Sequence, residues 1–184
     1  CIMAEIKELL EKLKHIADNP REQLDNYIAQ GKKAVGVWPY YAPEEIIYAG
    51  GLVPMGVWGG IGPIDKAKEY FPTFYYSLAL RCLEMGLDGT LDGLSACMLT
   101  TLDDTLRPLS QNYKVSVGRK IPMVFLNHAQ HRKEEFGKIY NAKLFESARK
   151  RLEEICDVKI TDENLKKAFE VYNENRRLKR EFIK

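Results

Sequence analysis

The run WPYYAPEE gathers Trp38, Tyr40, Tyr41 and Glu44, an indole, two phenols and a carboxylate, on one short loop. Together they offer a planar or acyl ligand apolar area, hydroxyl donors and a negative charge. The same tyrosines would equally pack a loop against a neighbouring helix or a partner chain. A second candidate group is the run NHAQH, with Asn127 and His128. His128, His131 and Glu134 recur every three residues and would meet at one metal only if a helix began early; otherwise they are surface or capping groups. Gly59, Gly60 and Gly62 permit close backbone approach, but match neither a phosphate-binding loop nor a dinucleotide fingerprint, and read as a turn. No serine sits in a nucleophile elbow. Cys82 and Cys97 fall in a helix and a strand without a histidine partner, and read as small buried apolar residues.

These groups act together only if the backbone brings their loops to one place. Ala34 to Trp38 is a short apolar run closed by Pro39, which belongs at a strand end because it has no N–H to donate. Pro43 suits the first position of a helix, Glu44 and Glu45 complement its positive start, and Gly50 and Gly51 can end it. Leu52 to Trp58 returns as a second strand. A helix follows from Phe74 to Gly86, a buried strand within 92–102, a helix from Asp103 or Asp104 to about Lys114, and a fourth strand from Ile121 to Leu126. Helices over about 131–155 and 161–183 complete the pattern, the last opened by Thr161 with acids in its first turn. At the other end, Ile6, Leu9, Leu10, Leu13 and Ile16 share one face of a helix over residues 3–18, and a second helix runs from Pro20 to about Gln30.

Strands alternating with helices predict an α/β fold, a Rossmann-like (flavodoxin-like) parallel sheet of about four strands with helices on both faces. Residues 1–30 would pack on the domain as N-terminal helices, 31–160 would form the α/β domain, and 161–184 would lead to a second domain absent here. Ligands of such sheets sit beyond the carboxyl ends of the strands, so WPYYAPEE, WGGIGP, TTLDD and NHAQH are the loops to watch. Tyr40, Tyr41, Glu44, Asn127 and His128 are therefore the expected ligand contacts.

Composition narrows the classes. With 184 residues, 45% of them apolar, the chain can bury a real core. Its 28 basic residues are interleaved with 26 acidic ones for a net charge of +2, which gives no nucleic-acid footprint. No apolar run reaches membrane-spanning length, and charges interrupt IKELLEKLKH, so the expected location is cytoplasmic. Four cysteines without a CxxC pair point to reduced thiols.

The run PEEIIYAGGLVPMGVWGG resembles the 2-hydroxyacyl-CoA dehydratase and benzoyl-CoA reductase family, in the N-terminal domain of its smaller, D-component-like subunits. FPTFYYSLALRCLEMGL, LTTLDDTLRPLSQNYK, NHAQHRKEEFGKIY and ITDENLKKAFEVYNENRRLKREF continue the resemblance in order along nearly the whole chain. It implies a radical dehydration of (R)-2-hydroxyacyl-CoA, or reduction of an aromatic thioester, by paired subunits that each hold a four-iron four-sulfur cluster, with the electron delivered by a separate ATP-dependent activator. It also implies one cluster cysteine just before the helix SLALRCLEMGL and another just before Asp-Thr-Leu of the next helix. Tyr76 and Asp103 stand in those places. Neither is a soft sulfur ligand. The expectation is a dehydratase subunit with no cluster or other cofactor of its own, working against a second, cluster-bearing subunit, with acyl-CoA as candidate ligand and neither nucleic acid nor membrane as partner. The alternative is a non-catalytic protein that binds acyl-CoA or another small ligand, or serves as a structural partner.

Overall fold

The computed structural model of the chain describes residues 2–39, 41–101 and 103–184, with side chains from residue 5 onward. Helices α1 (Ile2–Asp18) and α2 (Pro20–Ala29) precede β1 (Ala34–Val37), α3 (Glu44–Ala49) and β2 (Val53–Gly56). A 3-10 turn over Lys66–Glu69 leads to α4 (Ser77–Leu87), β3 (Ala96–Thr100), α5 (Leu106–Ser116), β4 (Met123–Leu126), α6 (Glu135–Cys156) and α7 (Asp162–Ile183). The four strands lie in the order β2-β1-β3-β4, and every neighbouring pair is parallel. The expected α/β sheet with helices on both faces is what forms.

Side-chain alternation along the strands builds two cores. Ala34, Met55, Cys97 and Leu99 face one side, where Leu24 of α2, Leu80 and Leu83 of α4, and Leu109 and Tyr113 of α5 cover them. Val35, Val37, Met98, Val124 and Leu126 face the other, against Ile46 and Ile47 of α3, Leu152 of α6 and Ala168 of α7. Both faces of the sheet are thus buried, which is why its strands read as continuous apolar runs.

The helix ends follow local chemistry. Thr161 Oγ1 accepts from the Asn164 N–H at 3.1 Å, an N-cap that opens α7. Pro43 is the residue before α3 rather than inside it, and the left-handed residue after α3 is Gly51, with φ +70°. Helix α4 starts at Ser77 and not at Phe74, because Pro72 to Tyr75 close a turn of their own, with the Tyr75 N–H bonded to the Pro72 carbonyl at 3.0 Å. Helix α5 starts at Leu106, later than expected, and α6 at Glu135.

Helix α2 anchors on the domain through buried Leu24 and through Arg21, which donates to the Asp92 carbonyl at 2.5 Å. The apolar face of α1 does not pack in the same way. Ile6, Leu9, Leu10, Leu13 and Ile16 are 40% to 61% exposed, because α1 extends beyond the domain surface that α2 occupies.

The two central strands approach closely at Gly36. A Cβ there would lie 2.9 Å from both Cys97 Sγ and Leu94 Cδ1, in a fully packed layer. Gly36→Ala is therefore expected to lower stability by about 1–3 kcal/mol, the usual penalty for overpacking. The measurement is urea unfolding: the midpoint should fall at unchanged slope, and an unmoved midpoint would count against this packing.

Candidate functional site

The chain leaves β1 toward one face of the sheet, through α3, and leaves β3 toward the other, through α5. The carboxyl ends of β1 and β3 therefore flank a topological switch point, where open α/β sheets bind ligands. Trp38 follows β1 directly and Asp103 follows β3. The start of α4 brings Tyr76 to the same place. Trp38, Tyr76, Cys82, Asp103 and Leu106 line a single cavity of about 10 Å³, room for no more than one water molecule.

Trp38 forms the floor of this cavity and not a ligand-facing wall. It is 1% exposed and meets Tyr113 edge to face at 5.3 Å between ring centroids. At the rim, Asp103 Oδ1 accepts from the Leu106 N–H at 3.1 Å, satisfying one of the open donors at the start of α5. Tyr76 is the residue before the first turn of α4, and its carbonyl accepts from the Leu80 N–H at 3.1 Å.

Beneath the rim, burial pushes the Cys82 thiol up to about 12, with Arg81 opposing and Cys97 adding to the shift. Burial also raises Cys97, which lies against Tyr113 and Trp38. Both thiols are protonated at neutral pH, in keeping with their reading as small apolar residues. A phenol, a helix-capping carboxylate and a protonated buried thiol do not fit a cluster held by thiolates. Among the described residues, no three of His, Cys, Asp and Glu stand close enough to hold a metal ion.

A second group of side chains lies where the loops after β1, β3 and β4 meet. The Thr101 hydroxyl donates to Asn127 Oδ1 at 3.2 Å and accepts from the His128 N–H at 3.0 Å. The half-buried His128 ring lies edge-on to Phe145, 5.8 Å away, and hydrogen bonds the Tyr41 backbone. Burial is the main cause holding His128 below its ordinary value; Arg132 adds to it and the Tyr41 bond opposes it. Tyr41 itself is 72% exposed with φ +59°, a left-handed conformation unusual for a residue with a bulky side chain.

The predicted contacts therefore separate. Tyr41, Asn127 and His128 come together, and Tyr40 lies outside the described residues. Glu44 turns away to α7, where Oε2 accepts from the Tyr172 hydroxyl at 2.9 Å. The neighbouring Glu45 pairs with Arg176. His131 is exposed and stacks edge-on with Phe136, and since α6 begins only at Glu135, His128 and His131 share no helix face. Thr101, which ties the β3 and β4 loops together, had no separate signal beyond its place in TTLDD. Tyr172 had none, because its partner lies 128 residues away.

Comparison with known proteins gives the family. Residues 39–184 match the family model described as 2-hydroxyglutaryl-CoA dehydratase, D-component. The chain is 46% identical over 180 residues to the beta subunit of (R)-2-hydroxyglutaryl-CoA dehydratase of Acidaminococcus fermentans, covering 97% of this chain and 48% of that relative. It is 38% identical over 184 residues to the beta subunit of lactoyl-CoA dehydratase of Anaerotignum propionicum, covering 99% of this chain and 48% of the relative. A benzoyl-CoA reductase subunit of Thauera aromatica is 29% identical over 179 residues, covering 96% of this chain and 45% of the relative. The chain spans about half the length of the curated relatives it matches. With that breadth of match, and with the expected loops gathered at one end of a parallel sheet, the chain belongs to the 2-hydroxyglutaryl-CoA dehydratase D-component family.

Proposed function

We propose that this chain is the α/β unit of a 2-hydroxyacyl-CoA dehydratase subunit, serving the elimination of water from an (R)-2-hydroxyacyl-CoA, and that it does so without an iron–sulfur cluster of its own. One observation carries the reading: Tyr76 and Asp103, from two separate elements, converge on the same closed cavity over Trp38 and Cys82. The positions that the family resemblance assigns to cluster ligands are spatially one site, and that site is built from a phenol and from a carboxylate already engaged at the start of α5. Redox chemistry then falls to a second, cluster-bearing subunit docked beside it.

The chain's own contribution is a binding wall. Tyr41 offers an exposed ring and hydroxyl, Asn127 an exposed amide, and His128 fixes the Tyr41 loop through its backbone bond. Glu44 acts at one remove, holding the helix after that loop to α7. An acyl thioester, with an apolar chain and a carbonyl acceptor, suits such a wall. A cytoplasmic setting agrees with the free, buried Cys82, Cys97 and Cys156. No helix among the described residues is long and apolar enough to cross a membrane. The second reading, a non-catalytic protein that binds acyl-CoA or another small ligand or serves as a structural partner, is favoured by the protonated thiols. Turnover on adding a cluster-bearing subunit would separate the two.

Two measurements test the reading. After anaerobic purification, iron and sulfide assays should find well under one iron per chain; about four irons with a broad absorbance near 400 nm would overturn it. A Tyr76→Cys, Asp103→Cys double variant that gains iron would support the shared site. The second measurement uses pH. The folded His128 ring holds its proton less readily than the unfolded one, whose ordinary value is 6.5. The stability that its neutral form supplies is intact above that value and is lost as pH falls through the lower folded value. His128→Gln should flatten the decline of the urea midpoint between about pH 7 and pH 5, and an unchanged slope would remove His128 from this account.

A further inference from the structure

We propose that the groove between α5 and the open edge of β4 holds the phosphate-bearing nucleotide end of the acyl-CoA, its charges at Arg107 and Lys114 and its base against Phe125 and Pro108. This site deepens the acyl-CoA reading above and rests on it.

Charge sets this edge apart. From Thr105 to Lys133 the chain carries Arg107, Lys114, Arg119, Lys120, Arg132 and Lys133 and not one of its 26 acidic residues, although its net charge over the whole length is only +2. The stretch folds into α5, β4 and the loop that follows, so these cations collect along one side of the domain. Lys120 is taken up by Asp92. Arg107 and Lys114 are exposed, and neither makes an ion pair among the described residues. Of the two acids just ahead of α5, Asp103 accepts from the Leu106 N–H, and neither pairs with Arg107.

Geometry brings the two cations to the groove. Arg107, Gln111 and Lys114 recur at i, i+4 and i+7 and so share one face of α5, spread over about 10 Å at the helical rise per residue. Arg107 and Gln111 line a groove of about 260 Å³ with Pro108, Phe125 and Asn127, room for one end of a ligand rather than a whole one. Lys114 extends it, with Nζ 5.9 Å from the centroid of the Phe125 ring.

Most of what the groove offers is donors. The Cys97 N–H bonds the Pro122 carbonyl at 2.8 Å and the Thr101 N–H bonds the Leu126 carbonyl at 3.0 Å, so in this parallel ladder the main chain of Met123 and Phe125 turns to the open edge. The Phe125 N–H is available there. Asn127 Oδ1 is occupied by the Thr101 hydroxyl, which leaves its Nδ2 donors unused among the described residues. A guanidinium, an ammonium and amide donors beside an aromatic ring complement phosphate esters next to a planar base.

Asn127 joins the two regions. It stands in the wall with Tyr41 and His128, and it also lines this groove. A thioester at the wall and phosphates along α5 then lie on one continuous surface, connected by the flexible pantetheine arm.

The test titrates CoA, pantetheine and adenosine 3′,5′-bisphosphate into the full chain by calorimetry. CoA should bind about tenfold or more tighter than pantetheine, which lacks the nucleotide end. Arg107→Gln and Lys114→Gln should each weaken CoA by about three- to tenfold and leave pantetheine unmoved. Both side chains are exposed, so each variant should keep the parent's urea midpoint. Lys150→Gln, which removes the same charge from α6, should leave the CoA affinity as it was. Equal affinity for CoA and pantetheine, a CoA affinity unmoved by both α5 variants, or one weakened as much by Lys150→Gln would overturn the site while leaving acyl-CoA binding in place. A bisphosphate that binds as tightly as CoA and loses affinity in Arg107→Gln would support the site and count against the acyl-CoA reading. Failure of both CoA and the bisphosphate to bind would overturn the site, and failure of pantetheine as well would take the acyl-CoA reading with it.

Discussion

The parallel pairing of β1 with β3 is the constraint on which the rest of this molecule depends. These are the two central strands, with Val35 to Val37 in register with Ala96 to Met98. Because the chain turns to opposite faces after them, their carboxyl ends are left uncovered by either crossover, and that gap is where Trp38, Tyr76 and Asp103 gather. The pairing in turn depends on Gly36, whose missing side chain leaves room for Cys97 and Leu94. Sheet register and site geometry are thus the same fact seen at two scales.

A second constraint explains why the site over Trp38 is closed. A helix start leaves N–H groups without partners, and a carboxylate just ahead of it is the ordinary way to satisfy one. Asp103 does this for α5. A side chain that caps a helix has its lone pairs directed at the backbone, and turning it toward a metal would release the Leu106 N–H. Trp38 fills the floor beneath it, and burial holds Cys82 protonated.

The fold was legible because its signals are local. The continuous apolar runs of β1 and β3, the Thr161 cap and the Gly50–Gly51 stop all act within a few residues, and the elements appear where those signals place them. The site was legible only in part. That the loops after β1, β3 and β4 share one end of the sheet follows from parallel topology, and Tyr41, Asn127 and His128 do meet there. Which way each side chain turns does not follow, because it is decided by partners far away in sequence. Glu44 was drawn off by Tyr172, and Trp38 into the core by Tyr113. The exposed face of α1 has the same cause: periodicity shows that a face is apolar, but not what it meets.

That face also sets a limit on how α1 is held. Exposed pairs such as Lys7 with Glu11 and Lys14 with Asp18 contribute about 0.3–0.5 kcal/mol each, too little to fix a helix on their own. Isolated helices of this length are marginal in water, so α1 depends on its junction with α2. Asn19 makes that junction. Its N–H bonds the His15 carbonyl at 3.1 Å and its side-chain amide bonds the same oxygen at 2.8 Å, while the His15 ring reaches Glu22 at 3.0 Å. Pro20 then starts α2 at once, leaving little freedom at the corner. The angle between the two helices is therefore set by four residues, His15, Asn19, Pro20 and Glu22.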